Sequence, residues 1–244
     1  FSTRASFIPK LLFFVFCQFF CDKPFRICYK ETMRSLKFSE TVTCPNGCEP
    51  FEADRWSFVN VTQNPELRDA VLGGELNLFC CPQCSSFFHG DTDLIYLDEQ
   101  AGLLVFVFSD KNRQNQKELL EKMQHDYALL KDNLLKQLKL DVGPLCVFGL
   151  EELKDVVQKE QQRTDESEAV AAASAALGLK VARLHPQWAR EHESPLYVPA
   201  GTDGTAQAFA VAARKVLEGG LKSPLLEHFA KLMEGGRGKA PDIL

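Results

Sequence analysis

Residues 44–48 read Cys-Pro-Asn-Gly-Cys and residues 80–84 read Cys-Cys-Pro-Gln-Cys, and these two short stretches decide how the chain folds. In each, a proline follows the leading cysteine and fixes one backbone dihedral, while Gly47 permits a left-handed step in the first. Two thiols on such a tight turn can grip one side of a metal ion, and a second turn completes a tetrahedral four-sulfur site. We therefore predict a structural zinc site whose ligands are Cys44, Cys48, Cys81 and Cys84.

Cys80 lies next to Cys81, so only one of these two thiols can point into the site. Cys81 is the better candidate because it pairs with Cys84 in a Cys-Pro-x-Cys register, which leaves Cys80 as a packed or edge thiol. Four cysteines fill the shell of a structural ion, whereas a catalytic zinc keeps one position open for water. The spacing alone leaves iron open as the alternative metal.

Further motifs stand in a fixed order around the two turns: Asn-Pro-Glu-Leu-Arg at 64–68, Gly-Glu-Leu-Asn at 74–77 and Val-Phe-Gly-Leu-Glu-Glu-Leu at 147–153. With the two Cys-Pro turns, they resemble the CpXC domain family over residues 36–159. The first turn departs from the family pattern, because it is Cys-x-x-x-Cys where Cys-x-x-Cys is usual. The family is known mainly as bacterial and archaeal proteins of undefined activity, so the resemblance implies a fold and little mechanism.

The pattern around the turns predicts an α+β domain over residues 36–162. Phe51 to Val61 is rich in aromatic and β-branched residues, which favours a strand, and a short inserted helix capped by Asn64 and ended by Gly73 lengthens the gap between the turns. Together the elements predict a zinc-ribbon-like antiparallel sheet packed by two amphipathic helices. The further strands are predicted at 76–80, 86–88, 94–97, 103–108 and 145–148, and the two helices at 113–140 and 150–162.

The two ends of the chain differ in character from this domain. Residues 1–32 include an apolar run from Phe7 to Phe20 that is too short to cross a bilayer, which takes about twenty residues. We interpret residues 1–32 as an upstream extension that is not native to the domain, with a targeting or membrane-associated segment and a structured part as the alternatives.

Residues 163–244 predict a C-terminal helical tail that is partly disordered. Its composition changes from polar to Ala-rich and then to a stretch punctuated by proline and glycine. The predicted parts are a polar linker at 163–168, an Ala-rich helix from 169 to about 183, helices near 205–217 and 224–233, and a disordered end at 235–244.

The charge distribution limits the class of partner. The formal net charge of the chain is −5, and residues 41–110 carry two basic residues, Arg55 and Arg68, against eleven acidic ones. Zinc domains that bind nucleic acid need Lys and Arg to displace counterions from phosphates, so we expect a protein partner and no nucleic acid. Cysteines clustered as metal ligands are typical of a reducing compartment, which predicts a cytoplasmic protein without a membrane span.

Cys81 to Cys84 also resembles the Cys-Pro-x-Cys motif of glutaredoxin-type oxidoreductases, so a thiol–disulfide enzyme or redox sensor is the alternative function. Such enzymes need the first thiolate at a helix N-terminus, whereas residues 85–88 predict a strand. No nucleophile elbow, phosphate loop or catalytic triad stands in a recognisable context. The sequence therefore favours a non-catalytic metal-binding domain that serves as a protein-interaction or regulatory module.

Three other groups could be interpreted as sites, and a structural role is favoured for each. His89 and Asp91 do not stand in the order of a zinc-deaminase motif. We therefore predict that His89 is a loop residue or a hydrogen-bond donor to the metal ligands. The acidic group at 91–99 lacks the glycine turn of a calcium loop and predicts a solvated rim. Trp188 is interpreted as an anchor that packs the tail onto the domain.

Overall fold

A computed structural model describes residues 34–90, 93–138, 140–201, 203–235 and 241–244. The interpretations of residues 1–32 and of Asp91 concern positions outside this described part. The chain divides into two compact units, Phe1–Val157 and Gln158–Leu244, and each unit has its own buried core. Among the described residues, no helix combines the length and the apolar character that a membrane span requires.

The first unit is built on a five-stranded mixed sheet. The strands of the unit are β1 (Leu36–Val42), β2 (Phe51–Asn60), β3 (Leu78–Cys80), β4 (Phe87–His89), β5 (Leu94–Asp98), β6 (Leu103–Phe108) and β7 (Pro144–Phe148). The spatial order of the five-stranded sheet is β1-β2-β5-β6-β7, and β3 and β4 form a separate two-stranded sheet.

The α+β class is confirmed, but the prediction of an antiparallel sheet is wrong. The pairs β1–β2 and β5–β6 are antiparallel, whereas β2–β5 and β6–β7 are parallel. Parallel neighbours need a long crossover connection. A helix lies in each of these two connections: α1 (Glu66–Leu72) follows β2, and α2 (Gln116–Leu130) precedes β7.

Helices cover both faces of the five-stranded sheet. A 3-10 helix (Asp110–Asn115) leads into α2, a π-helical turn (Lys131–Leu135) joins α2 to the short α3 (Lys136–Leu138), and α4 (Gly149–Ala176) follows β7. One face packs against α1 and the beginning of α4, and the other packs against α2. The inserted helix is confirmed, but its predicted cap is not. Pro65 occupies the cap position and no side chain caps α1, because the side-chain oxygen of Asn64 accepts from the Ser35 amide instead.

The strand β6 is buried along its whole length, as its unbroken apolar sequence predicts. Successive side chains of a strand point to opposite faces of the sheet. Leu103, Val105 and Val107 therefore join the core beneath α1 and α4, while Leu104, Phe106 and Phe108 join the core beneath α2.

The polar linker predicted at 163–168 is wrong, because α4 runs through it from Gly149 to Ala176. The polar side chains there have partners inside the second unit. Arg163 donates to the carbonyl oxygen of Ser194 at 3.0 Å, and the Ser167 hydroxyl accepts from the Leu196 amide at 2.7 Å. Polar residues that satisfy buried backbone groups in this way are part of a core rather than a solvated connection.

The predicted Ala-rich helix ends at Ala176 rather than near Arg183. The two predicted helices beyond it are confirmed as α6 (Ala206–Glu218) and α7 (Pro224–Glu234), and their apolar faces meet through Phe209 and Phe229. Trp188 packs edge-on against Phe229 in the same core. The elements after α4 are β8 (Val181–Arg183), α5 (Pro186–Glu191), β9 (Tyr197–Pro199), α6 (Ala206–Glu218) and α7 (Pro224–Glu234).

The prediction of a disordered end at 235–244 is wrong for its last residues. Ile243 forms a β-bridge with Leu184, and the Leu244 amide donates to the carbonyl oxygen of Arg183 at 3.0 Å. Residues 236–240 lie outside the described part of the chain. Residues 242–244 thus pair with residues 183–185, where β8 ends.

Candidate metal centre

Each cysteine pair lies at the turn of a β-hairpin. Residues 43–50 connect β1 to β2, and within them the Gly47 amide donates to the carbonyl oxygen of Cys44 at 3.0 Å. Gly47 has a φ of 75°, a left-handed conformation that glycine adopts without the steric cost of a side chain. Gly47 thereby accommodates the additional residue of the Cys-x-x-x-Cys turn, and Cys48 comes back toward Cys44.

The second turn, at 81–86, is closed by two backbone hydrogen bonds. The Cys81 amide donates to Ser86 and the Ser85 amide donates to Cys81, both at 2.9 Å. This loop brings Cys81 and Cys84 to the same side. Cys81 is completely buried (0% exposed), whereas Cys80 is exposed on the outside of β3.

The structure brings together the four cysteines that the sequence singles out. Their sulfur atoms all lie within 4.8 Å of one another, and the Sγ atoms of Cys44 and Cys84 are 3.7 Å apart. An ion with tetrahedral bonds of about 2.3 Å to sulfur would separate its ligands by about 3.8 Å. A disulfide would need about 2.0 Å, and the cysteines of the described residues are all free. The cluster could therefore hold one metal ion.

Asn46 connects the two turns through the sulfur atoms. Its side-chain amide donates to Cys84 Sγ at 3.4 Å and to Ser86 Oγ at 2.8 Å, and its backbone amide donates to Cys44 Sγ at 3.4 Å. Hydrogen bonds from Ser86 and Asn46 lower the pKa of the Cys84 thiol to about 5, because they stabilise its thiolate. The Cys48 thiol, hydrogen-bonded to Cys84 and partly desolvated, has its pKa raised to about 12. A cation among the sulfurs would favour the thiolate form of all four.

Contacts outside the cysteines also hold the two hairpins together. The Phe88 ring lies 6.3 Å from Phe51 and 6.0 Å from Phe79, measured between ring centroids. Asn77 accepts a hydrogen bond from the Trp56 amide at 2.8 Å and donates one to the Trp56 carbonyl oxygen at 3.0 Å. The cysteine pairs are thus positioned by packing and backbone contacts as well as by the sulfurs.

Sequence reasoning did not single out Asn46 or Asn77. The available signals were weak, since Asn46 is simply the third residue of the first Cys-Pro turn and Asn77 ends the Gly-Glu-Leu-Asn motif. A single asparagine has no periodicity, and its side chain can serve a turn, a cap or a strand edge. Only the paired hydrogen bonds of the folded chain reveal these roles.

His89 and the described residues of the acidic group at 91–99 lie in strands or form contacts that stabilise the fold. His89 ends β4 and is exposed, so the prediction of a loop residue is wrong. The prediction of a solvated rim is wrong for Asp98, because this residue is 4% exposed and forms an ion pair with Arg68. Glu99 accepts a hydrogen bond from the buried Asn60 amide at 2.9 Å. These carboxylates therefore stabilise the end of the β5–β6 hairpin.

The fold and the cluster define an α+β protein with a mixed sheet and four convergent cysteines that could hold a metal ion. A family model described as CpXC protein matches residues 42–170, more than half of the 244 residues. The chain belongs to the CpXC family, and the resemblance seen in the sequence is confirmed. The match includes both cysteine turns and reaches into α4. Neither curated proteins nor solved structures gave a match.

Proposed function

We propose that the first unit is a structural zinc module of the zinc-ribbon type, and that its function is to bind another protein. The observation that carries this proposal is the convergence of four sulfur atoms from two hairpin turns, all within 4.8 Å. Four thiolates form a closed tetrahedral shell around Zn²⁺ and leave no position for a substrate water. The ion would stabilise the fold rather than act on a substrate.

Zinc is favoured over an iron–sulfur cluster by the separation of the sulfur atoms. Cys44 and Cys84 are 3.7 Å apart at Sγ, which fits ligands bonded to one ion. A multi-iron cluster places its own sulfides and several irons between the cysteine ligands, so it needs a wider arrangement. A single iron ion remains the metal that experiment must distinguish from zinc.

The position of the cluster explains why a structural ion would matter. Within the described part of the chain, β2 pairs with β5 over Phe58–Asn60, and the preceding part of β2 has only β1 as a strand neighbour. Among the described strands, β3 and β4 likewise pair only with each other. Two-stranded hairpins are marginally stable in water. A zinc ion that joins both turns would supply about 10 kcal/mol or more of apparent binding free energy at this end of the unit.

A protein partner is favoured by the surface charge of residues 41–110, the stretch that carries both cysteine turns. Both arginines of residues 41–110 form ion pairs, Arg55 with Glu40 and Arg68 with Asp98. The remaining charges of this stretch are acidic, and a nucleic acid would be repelled by them. The redox alternative is not favoured, because β4 follows the Cys-Pro-Gln-Cys turn where a reactive thiolate would need a helix N-terminus.

Metal analysis of the full chain tests the proposal. Protein purified under reducing conditions should contain about one zinc per chain, and cobalt substitution should give the absorption bands of tetrahedral thiolate ligation. Cys81→Ser should lose the metal, and the adjacent Cys80→Ser is the matched control that should keep it. Less than about half an equivalent of zinc, or an equivalent of iron in its place, would refute the zinc assignment. A reversible Cys81–Cys84 disulfide in metal-free native protein would support the redox alternative.

A further inference from the structure

The β3–β4 hairpin has two unlike faces. Phe79 and Phe88 lie on the inner face, where Phe88 meets Phe51 of β2. The cross-strand pairs Leu78–His89 and Cys80–Phe87 lie on the opposite side, because side chains alternate along a strand. All four of these side chains are exposed, and together they are called the outer hairpin face.

Phe87 is the most exposed large apolar residue of the described chain, at 69%, and Leu78 on the same face is 37% exposed. Neither belongs to a buried core cluster. A polar residue at position 87 would leave the inner face and the sulfur cluster unchanged, because strand side chains alternate between faces. Core packing therefore gives no reason for a phenylalanine there, whereas an exposed aromatic residue is typical of a contact surface.

The outer hairpin face continues at His89 into a small hollow. Its apolar lining includes Leu76 and Leu150, and Glu151 and Lys154 stand at its side. These residues come from the end of the α1–β3 connection and from the first turns of α4. The outer hairpin face thus borders this hollow, where the half-buried Leu150 contributes apolar surface from outside the hairpin.

The stretch of chain that carries this face, residues 44–90, is acidic, and Lys154 beside the hollow is a basic residue contributed from outside it. Between residues 44 and 90 every acidic side chain is exposed, while the basic residues Arg55 and Arg68 are each engaged in an ion pair. Four thiolates around one Zn²⁺ would add a net charge of about −2 next to Cys80. The exposed acidic residues are Glu49, Glu52, Asp54, Glu66, Asp69 and Glu75.

We propose that the outer hairpin face binds a basic segment of another protein, which places an apolar side chain against Phe87. This inference rests on the proposed function and names the surface and the chemistry of its partner. Charge selects the occupant: a second copy of this chain would bring a like acidic surface to the interface, whereas lysine or arginine beside an apolar side chain complements it. Burial of Phe87 supplies the affinity, and the acidic side chains supply orientation and selectivity.

Defined peptides of about twelve residues test this surface on the full zinc-loaded chain by fluorescence anisotropy. One peptide alternates Lys and Leu, one alternates Lys and Ser, and one alternates Glu and Leu. The Lys–Leu peptide should bind, the Lys–Ser peptide should bind at least about 10-fold more weakly, and the Glu–Leu peptide should not bind. Phe87→Ser should weaken Lys–Leu binding by about 10-fold to 100-fold. Val211→Ser, at a 60% exposed site on α6, is the control and should change it less than about 2-fold.

Several outcomes would overturn the docking surface. They are unchanged Lys–Leu binding by Phe87→Ser, equal binding of the Glu–Leu peptide, self-association that Phe87→Ser abolishes, or binding to phosphatidylcholine vesicles that Phe87→Ser abolishes. Zinc content separates the two proposals. If the chain contains zinc and Phe87→Ser does not change peptide binding, only the docking surface is refuted. If the native chain contains no zinc, the structural zinc site is refuted. If Phe87→Ser itself loses zinc, Leu78→Ser on the same face decides the matter by the same criteria.

Discussion

Asn77 offers the sharpest test of how the two cysteine hairpins are held together. Its side chain accepts from the Trp56 amide and donates to the Trp56 carbonyl oxygen, at 2.8 and 3.0 Å. It therefore serves as a strand neighbour for β2 just before β5 begins to pair at Phe58. Asn77 is 5% exposed and has a φ of 54°, so both its side chain and its backbone conformation are specific.

The expected loss of stability follows from these two features. Removal of both hydrogen bonds should cost about 1 to 3 kcal/mol. Alanine must in addition hold a left-handed backbone, at about 1 to 2 kcal/mol, whereas glycine avoids that strain but loses about 0.5 to 1 kcal/mol through its larger freedom in the unfolded chain. We expect Asn77→Ala to lower the free energy of unfolding by about 3 kcal/mol. The loss for Asn77→Gly should be smaller than the loss for alanine by roughly 0.5 to 1 kcal/mol.

Urea unfolding of the zinc-loaded chain measures both variants. The chain has two tryptophans, Trp56 and Trp188, so a Trp188→Phe background makes the fluorescence report on the first unit. Zinc release to a chromogenic chelator, followed in the same titration, should shift to lower urea with the fluorescence. A loss below about 0.5 kcal/mol for Asn77→Ala would refute the strand-neighbour role. A larger loss for glycine than for alanine would refute the contribution of the backbone conformation.

Three further outcomes are expected. In reduced, zinc-free chain at pH 7, iodoacetamide should label Cys84 before Cys48, since the pKa of Cys84 is lowered to about 5 and that of Cys48 is raised to about 12. Cys84 stays a thiolate above about pH 5, so labelling should slow as the pH falls through that value, and faster labelling of Cys48 would contradict the assignment. Gel shifts should reveal no nucleic-acid binding at physiological salt, and submicromolar, salt-sensitive binding that maps to residues 41–110 would contradict this. A chain that ends after Val157, where the first unit ends, should stay soluble and keep its zinc, and aggregation or zinc loss would show that the second unit is needed.

Local features of this fold could be predicted from the sequence because they depend on neighbouring residues. The Cys-Pro turns, the buried β6 and the inserted α1 each have their own composition or periodicity. The parallel pairing of β2 with β5 could not be predicted in this way. It depends on which strand lies beside Phe58 in the folded chain, across a connection that contains α1 and the β3–β4 hairpin, and the local composition of β2 does not indicate that strand.

The polar character of residues 163–168 and of Asp98 was misleading for a related reason. Polarity predicts contact with water unless a partner is available, and the partners are distant in sequence. Ser167 meets Leu196 across 29 positions, and Asp98 meets Arg68 across 30. The cysteine cluster could be predicted despite its distance in sequence, because the spacing of two cysteines in each turn indicates that the four thiols bind one metal ion.

The β2–β5 pairing and the phenylalanine contacts around Phe88 give the cysteine cluster a second significance. Cys44 and Cys84 are 40 positions apart, so a metal ion that bridges them closes a large loop of chain. Closing a flexible loop of that length costs about 3 kcal/mol in chain entropy. In the folded chain the strands and the aromatic rings restrict this loop without an ion, so an ion bound by the four sulfur atoms would join a loop that is already nearly closed. The metal affinity would therefore depend on how stably the two hairpins pack against each other. A substitution between the two turns that weakens this packing would lower the affinity.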